Sequence, residues 1–203
     1  MKRSTKLDAL ERVEVTSRAQ WRAWLKKHHR RTEGIWLVRW KVATPTKHVS
    51  YAEVVDEALC FGWIDSLPRK LDAERTMLYL SPRKPRSVWS KLNKAHIVRL
   101  EAEGRMTPAG RAKVEAAKAN GSWNTLDAAE ALEMPADLAR ALDRRTRSRT
   151  FFDSLSPSAR KMLLTWIGSA RTAETRKKRI KATVDEAAQG RRAFPPATRP
   201  PAP

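Results

Sequence analysis

The chain has 203 residues, 41% of them hydrophobic and 32% charged, which fits a folded protein with a real core and excludes a disordered chain. Its 42 Lys and Arg against 22 Asp and Glu leave a net charge of +20. A field of that sign attracts phosphate-rich partners, whether nucleic acid, anionic lipid or a phosphorylated small molecule, and it also serves simply to keep a surface soluble.

Residues 1–15, MKRSTKLDALERVEV, read as a flexible N-terminus. They start basic but hold no apolar stretch of the kind a secretory signal needs, and no run of 18 apolar residues occurs anywhere, so a cytoplasmic protein without a transmembrane segment is expected. The single cysteine, Cys60, allows no internal disulfide and fits a reducing compartment.

Thr16 or Ser17 is placed to cap a helix reaching about His29, with Trp21, Trp24, Leu25 and His28 at helical spacing. EGIWLVRWK follows as a strand apolar on both faces, Trp36, Val38 and Trp40 on one and Ile35 and Leu37 on the other, as in a central strand. In SYAEVVDEALCFG, Ser50 and Glu53 have capping-box spacing, Val54, Val55, Ala58 and Leu59 form the buried stripe, and Gly62 suits the residue just past the helix end. WIDSLPRKL and RTMLYLSP predict two strands joined by a turn near residues 72–74.

From Ser87 on, the pattern is helical. Ser90 caps one predicted helix, Thr107-Pro108 opens another that stops at Gly121, and SWNTLDAAEALEMP reads as a connector. Pro135 and Asp137 open a helix carrying Leu138 and Leu142; Ser156-Pro157 and Thr172 open two more, the last stopped by Gly190. The ending RRAFPPATRPPAP is proline-rich. The expectation is therefore an α+β chain: a small, mainly antiparallel sheet with helices, followed by an α-helical C-terminal module. The expected boundaries are an α/β domain at 16–86, a helical region at 87–192 that includes the module 147–190, and a disordered proline-rich tail at 193–203.

The four histidines, His28, His29, His48 and His96, form no HExxH, and there is no CxxC, so neither a metal site nor a cofactor is expected. The seven glycines fall in no phosphate-loop spacing. Cys60 at a helix end reads as a packing residue, Glu53 as the cap partner, and Glu57 as solvated or salt-bridged. In GWID, Trp63 and Asp65 share a strand face, and Arg69 falls on it too if the alternation persists past Pro68. In SPRKPRSVWSKLNK, Arg83, Lys84 and Arg86 precede a helix start with Ser87 and Ser90 beside it, an anion-binding corner or an ordinary solvated cap. Residues 140–192 carry 15 cations against 5 acids, and the last two helices superficially resemble a helix-turn-helix.

Two segments, EALCFGWIDSLPRKLDAERTMLYLSPRKPRSVWSKLNKAHIVRLEAEGRMTPAGRAKVEAAKANGSW and FFDSLSPSARKMLLTWIGSARTAETRKKRI, resemble the YdeI/OmpD-associated (bacteriocin-protection) family, over about residues 17–192. The matching motif positions are Phe61, Gly62, Trp63, Ile64, Asp65, Arg83, Pro85, Ser87, Trp89, Ser90 and Asn93. The resemblance implies a link to bacteriocin or antimicrobial-peptide tolerance and supplies no catalytic residue. The leading expectation is a non-enzymatic binding protein with a small-anion site at Trp63, Asp65, Arg69, Arg83, Arg86, Ser87, Trp89, Ser90 and Asn93. The alternatives are nucleic-acid binding through Arg176, Lys177, Lys178, Arg179 and Lys181, and an enzyme acting on a small anionic substrate.

Overall fold

The computed structural model describes residues 6–194 and divides into two units, residues 1–124 and 125–203.

In the first unit a 3-10 turn, Lys6–Ala9, leads into strand β1, Arg12–Val15. Helix α1, Arg18–His28, follows, with Ser17 as its cap accepting a bond from the Gln20 amide. Strand β2, Ile35–Trp40, precedes helix α2, Tyr51–Cys60, whose Ser50–Glu53 capping box is formed in both directions. Gly62, at φ +75°, turns the chain into strand β3, Trp63–Lys70, and strand β4, Arg75–Pro82, returns antiparallel to it. The turn between them is held by Asp72, whose Oδ1 accepts bonds from the amides of Glu74 and Arg75 at 2.9 and 2.7 Å. The sheet order is β1-β2-β4-β3, antiparallel except for the β1–β2 pair.

β2 lies inside the sheet and buries both faces, as its sequence predicts. Ile35 and Leu37 join Trp21, Leu25, Val54, Leu59 and Trp63 in the main core; Trp36 and Val38 pack with Met77 against Leu7, Leu10, Leu71 and Tyr79 on the other face. Helices α3, Lys91–Ala102, and α4, Pro108–Ala119, complete the main core with Ile97, Leu100, Val114 and Ala117.

Two expected boundaries change. The segment 1–15 contains β1, where Val13 and Val15 are buried; a four-residue strand is too short to show its period, and it is paired by β2. The division falls near residue 124 instead of 86, because α3 and α4 put their apolar stripes into the core of the sheet. Helical periodicity reports that a helix has a buried face and says nothing of which core receives it.

The second unit is all-helical: α5, Asp127–Glu130, α6, Ala136–Asp143, α7, Thr146–Ser154, α8, Pro157–Gly168, and α9, Ala173–Ala188. Its core gathers Leu138, Leu142, Phe152, Leu163, Leu164, Ile167, Ile180 and Val184, so it starts well before residue 147, and α5 occupies part of the expected connector. Of the expected proline-rich tail, Ala193 and Phe194 pack on this core, Phe194 stacking on Trp166 with centroids 5.2 Å apart; residues 195–203 lie outside the described residues.

Candidate anion-binding site

The sequence-predicted seam does not assemble as one face. Trp63 is fully buried, its indole donating to the His29 carbonyl at 3.1 Å. Asp65 accepts a 2.6 Å bond from the Tyr51 hydroxyl on α2; burial, together with that bond, pushes the phenol up to about 12. Arg69 is on the opposite face, paired with Asp8 at 2.5 Å and lying 4.6 Å over the Trp36 ring. The cause is a β-bulge: Asp65 faces Leu80 but Pro68 faces Leu78, so β3 spends one residue more than β4 and every later side chain changes face. Ser90 is the cap of α3, receiving the Asn93 amide at 3.2 Å, and Arg86 is exposed. The Ser87 amide bonds the Lys84 carbonyl at 3.0 Å.

Arg83 and Trp89 do come together, and both are buried. The Arg83 guanidinium carbon lies 3.6 Å from the centroid of the Trp89 ring. One guanidinium nitrogen donates to the Val88 carbonyl at 2.9 Å. The Arg83 Nε and Nη2 and the Trp89 Nε1 are buried with no acceptor among the described residues. Three orphaned donors in one stacked pair carry a desolvation cost of about 1–3 kcal/mol each. Burial, only partly offset by the charge of Asp65, brings the guanidinium down to about 10, so it is still cationic at neutral pH.

Arg83 also lines a cleft of about 1560 Å³ in the first unit. One wall is the outer face of α1 with Arg22, Ala23, Lys26 and His29, continuing through Arg30 and Arg31; another is the end of β4 with Tyr79, Pro82 and Lys84; a third is the start of α4 with Thr107, Pro108 and Lys113. Seven Lys or Arg and one acid, Glu33, line it. Arg22 shares Glu57 with Arg18 and Arg105, and Arg31 pairs with Glu11, whereas Lys26, Arg30, Lys84 and Lys113 have no ion pair among the described residues. The first turn of α4 adds the positive end of a helix dipole. Of the nine residues of the expected seam, this cleft contains Arg83 alone. The signal present in the sequence is the cation spacing on α1, where Arg22 and Lys26 are four apart and therefore on one side, with Arg30 in the turn just past the helix end.

Behind the cleft lies a buried charge network. Glu57 is fully buried, and its two oxygens accept bonds from Arg18 and Arg22, both at 2.6 Å, and from Arg105. Its neighbour Asp56 takes bonds from His96 at 2.7 Å and Arg99 at 2.6 Å. Burial raises the Asp56 carboxyl, but the Arg99 and His96 bonds overcome that and hold it below the ordinary range. Arg22 belongs to both assemblies: it binds Glu57, lies 5.3 Å from the Phe61 ring and lines the cleft. Cys60, at the end of α2, is buried, which pushes its thiol up to about 11.

In the second unit the residues considered for nucleic acid are largely engaged. Arg176 forms two bonds to Asp137 at 2.7 and 2.9 Å, and Arg179 donates to the Trp166 carbonyl and to Ser169. Lys178 pairs with Glu174 and Lys181 with Asp185, both exposed pairs one turn apart; Lys177 has no ion pair among the described residues.

Two family models match the chain. Residues 13–113 match one described as a domain of unknown function, DUF8412, and residues 131–190 match one described as "Bacteriocin-protection, YdeI or OmpD-Associated". The resemblance expected over about 17–192 is thus carried by a match only in the second unit, while the GWID and PRKPRSVWS motifs fall in the domain of unknown function. No curated protein and no solved structure matches the chain. No helix among the described residues is long and apolar enough to cross a membrane.

Proposed function

We propose that the first unit is a non-enzymatic binding module for a small organic anion, held at Arg83 in the cationic cleft. The observation that carries this reading is a buried guanidinium with two nitrogens lacking an acceptor and no carboxylate in an ion pair with it among the described residues. A buried charge without a partner is strongly unfavourable, and an incoming carboxylate or phosphate oxygen would satisfy the donors and the charge together. The excess of cations around the same cleft adds attraction for the same ligand sign. Binding without turnover is supported by the cleft's character, since its titratable groups are almost all cations and His29 turns its Nδ1 toward the carbonyls of Leu25 and Lys26. A role in bacteriocin or antimicrobial-peptide tolerance rests on the description of the family that residues 131–190 match. With a charge of +20 such protection works indirectly, because the protein repels cationic peptides.

The test is tryptophan fluorescence and thermal shift with a panel of carboxylates and phosphates, comparing the wild type with Arg83→Met. Trp89 stacks on Arg83 and reports directly. Saturable quenching with a rise in Tm in the wild type, absent in the variant, is the expected result. Equal responses from both proteins would overturn the assignment of Arg83.

A further inference from the structure

The number of uncompensated cations around the cleft says more than the sign of the ligand. Glu11 pairs with Arg31, and Glu57 pairs with Arg22 while also serving Arg18 and Arg105. Arg83 is buried without a carboxylate, and Lys26, Arg30, Lys84 and Lys113 have no ion pair among the described residues. Glu33 is the one acid in the lining. A monocarboxylate would leave most of this charge unmatched, and cations sharing one cleft repel one another until something of higher valence separates them. The first turn of α4 contributes roughly half a positive charge more.

Size argues further. At about 1560 Å³ the cleft exceeds the roughly 300–1,000 Å³ of an ordinary ligand pocket, so inorganic phosphates alone would leave most of it open. Between the cations the walls are apolar, from Leu7, Ala23, Phe61, Pro82 and Pro108, with Tyr79 among them. That combination suits a ligand with an uncharged ring at one end and a chain of phosphates at the other.

We infer that the cleft takes a nucleoside polyphosphate, with phosphate oxygens on Arg83, Lys84 and Lys113 and the remaining cations of α1 closing over the chain. This rests on the small-anion reading of the cleft and specifies its ligand.

Calorimetric titration of the full chain in metal-free buffer tests it, using inorganic phosphate, inorganic triphosphate, adenosine and guanosine monophosphates, and the corresponding triphosphates. Two double variants accompany the wild type: Lys26→Ala with Lys84→Ala at the cleft, and Lys177→Ala with Lys178→Ala in the second unit, which removes the same charge elsewhere. The expected result is at least tenfold tighter binding of a nucleoside triphosphate than of its monophosphate. That advantage is lost in the cleft variant and kept in the other. Equal binding of mono- and triphosphates by the wild type, lost in the Arg83→Met variant titrated beside it, would overturn the polyphosphate inference and leave the anion reading standing. Inorganic triphosphate binding as tightly as the nucleoside form would remove the nucleoside from it. Equal losses in both double variants would mean that only the overall field is at work. No binding of any anion would overturn both readings.

Discussion

Arg83 and Trp89 stack at 3.6 Å inside the first unit, and between them they leave three buried donors without an acceptor among the described residues. Such an arrangement costs the fold stability. Because burial lowers the Arg83 guanidinium from the ordinary arginine range to about 10, the unfolded chain holds the proton more tightly than the folded one. The penalty is therefore fully present below about pH 10 and is relieved as the pH rises from there toward the ordinary arginine range. Arg83→Met keeps the volume and removes the charge. In the absence of ligand it is expected to raise stability by about 1–3 kcal/mol at neutral pH, the gain in cation-free packing exceeding the lost Val88 bond. Urea unfolding of the two proteins measures it; a loss of stability instead would show that the pair is a structural support.

Glu57 and Glu53 are one helical turn apart on α2 and have opposite environments. Glu57 is fully buried beneath three arginines, while Glu53 caps the helix start at Ser50. Glu57→Gln leaves Arg18, Arg22 and Arg105 without their shared counter-charge and is expected to cost about 3–5 kcal/mol. Glu53→Ala loses a cap partner only, a matter of about 1 kcal/mol. Chemical denaturation separates the two by midpoint; similar losses would mean that the arginines re-pair with solvent at little cost.

Asp56 is expected to make the fold acid-sensitive. Its folded carboxyl is held below the ordinary carboxylate range, with burial opposing and the bonds from Arg99 and His96 prevailing. A depressed carboxylate stabilises the fold above its unfolded pKa, and that contribution disappears as the pH falls through the folded value. Asp56→Asn is expected to be less stable than the wild type near neutrality, with the gap closing below about pH 4. A gap that stays constant from pH 7 to pH 3 would show that the carboxylate's charge is not what holds Arg99 and His96.

Much of this fold is legible where the signal is local. Ser17, the Ser50–Glu53 box, Gly62, Thr107-Pro108 and Thr172 each announce a helix end through the amides they satisfy or the φ they allow, and each is at such an end. The two apolar faces of β2 likewise show it to be internal. Non-local facts are not written that way. The bulge between Asp65 and Pro68 depends on the partner strand, and without it Arg69 would share a face with Asp65. Glu57 reads as solvated or salt-bridged; it is salt-bridged, and its full burial follows from arginines of α1 and of the loop before α4 converging on it, which its spacing does not show. Arg83 was readable as an anion contact; that it would be buried without a carboxylate was not, since nothing in RKPRSVW says which face the chain folds over.

The start of α4 is held in place by a contact that admits no side chain. A Cβ on Gly110 would lie 2.3 Å from the Cys60 carbonyl oxygen and 2.9 Å from that of Leu59, both backbone atoms at the end of α2. Thr107 fixes the same junction, its hydroxyl donating to the Cys60 carbonyl at 2.6 Å. Gly110→Ala must push the two helices apart, and the expected loss is about 1–3 kcal/mol, the usual cost of overpacking. Gly168, in α8, is a matched control, because a Cβ there meets nothing within 4 Å. Gly168→Ala is expected to be neutral or to stabilise by up to about 1 kcal/mol. The Gly110 variant also moves Lys113 and the first turn of α4, both part of the cleft lining, so anion binding should weaken with it while the Gly168 variant binds as the wild type does. Thermal denaturation and anion titration on the same two proteins test both halves. A destabilised Gly110→Ala that binds anions normally would detach α4 from the site and place the ligand on α1 and β4 alone.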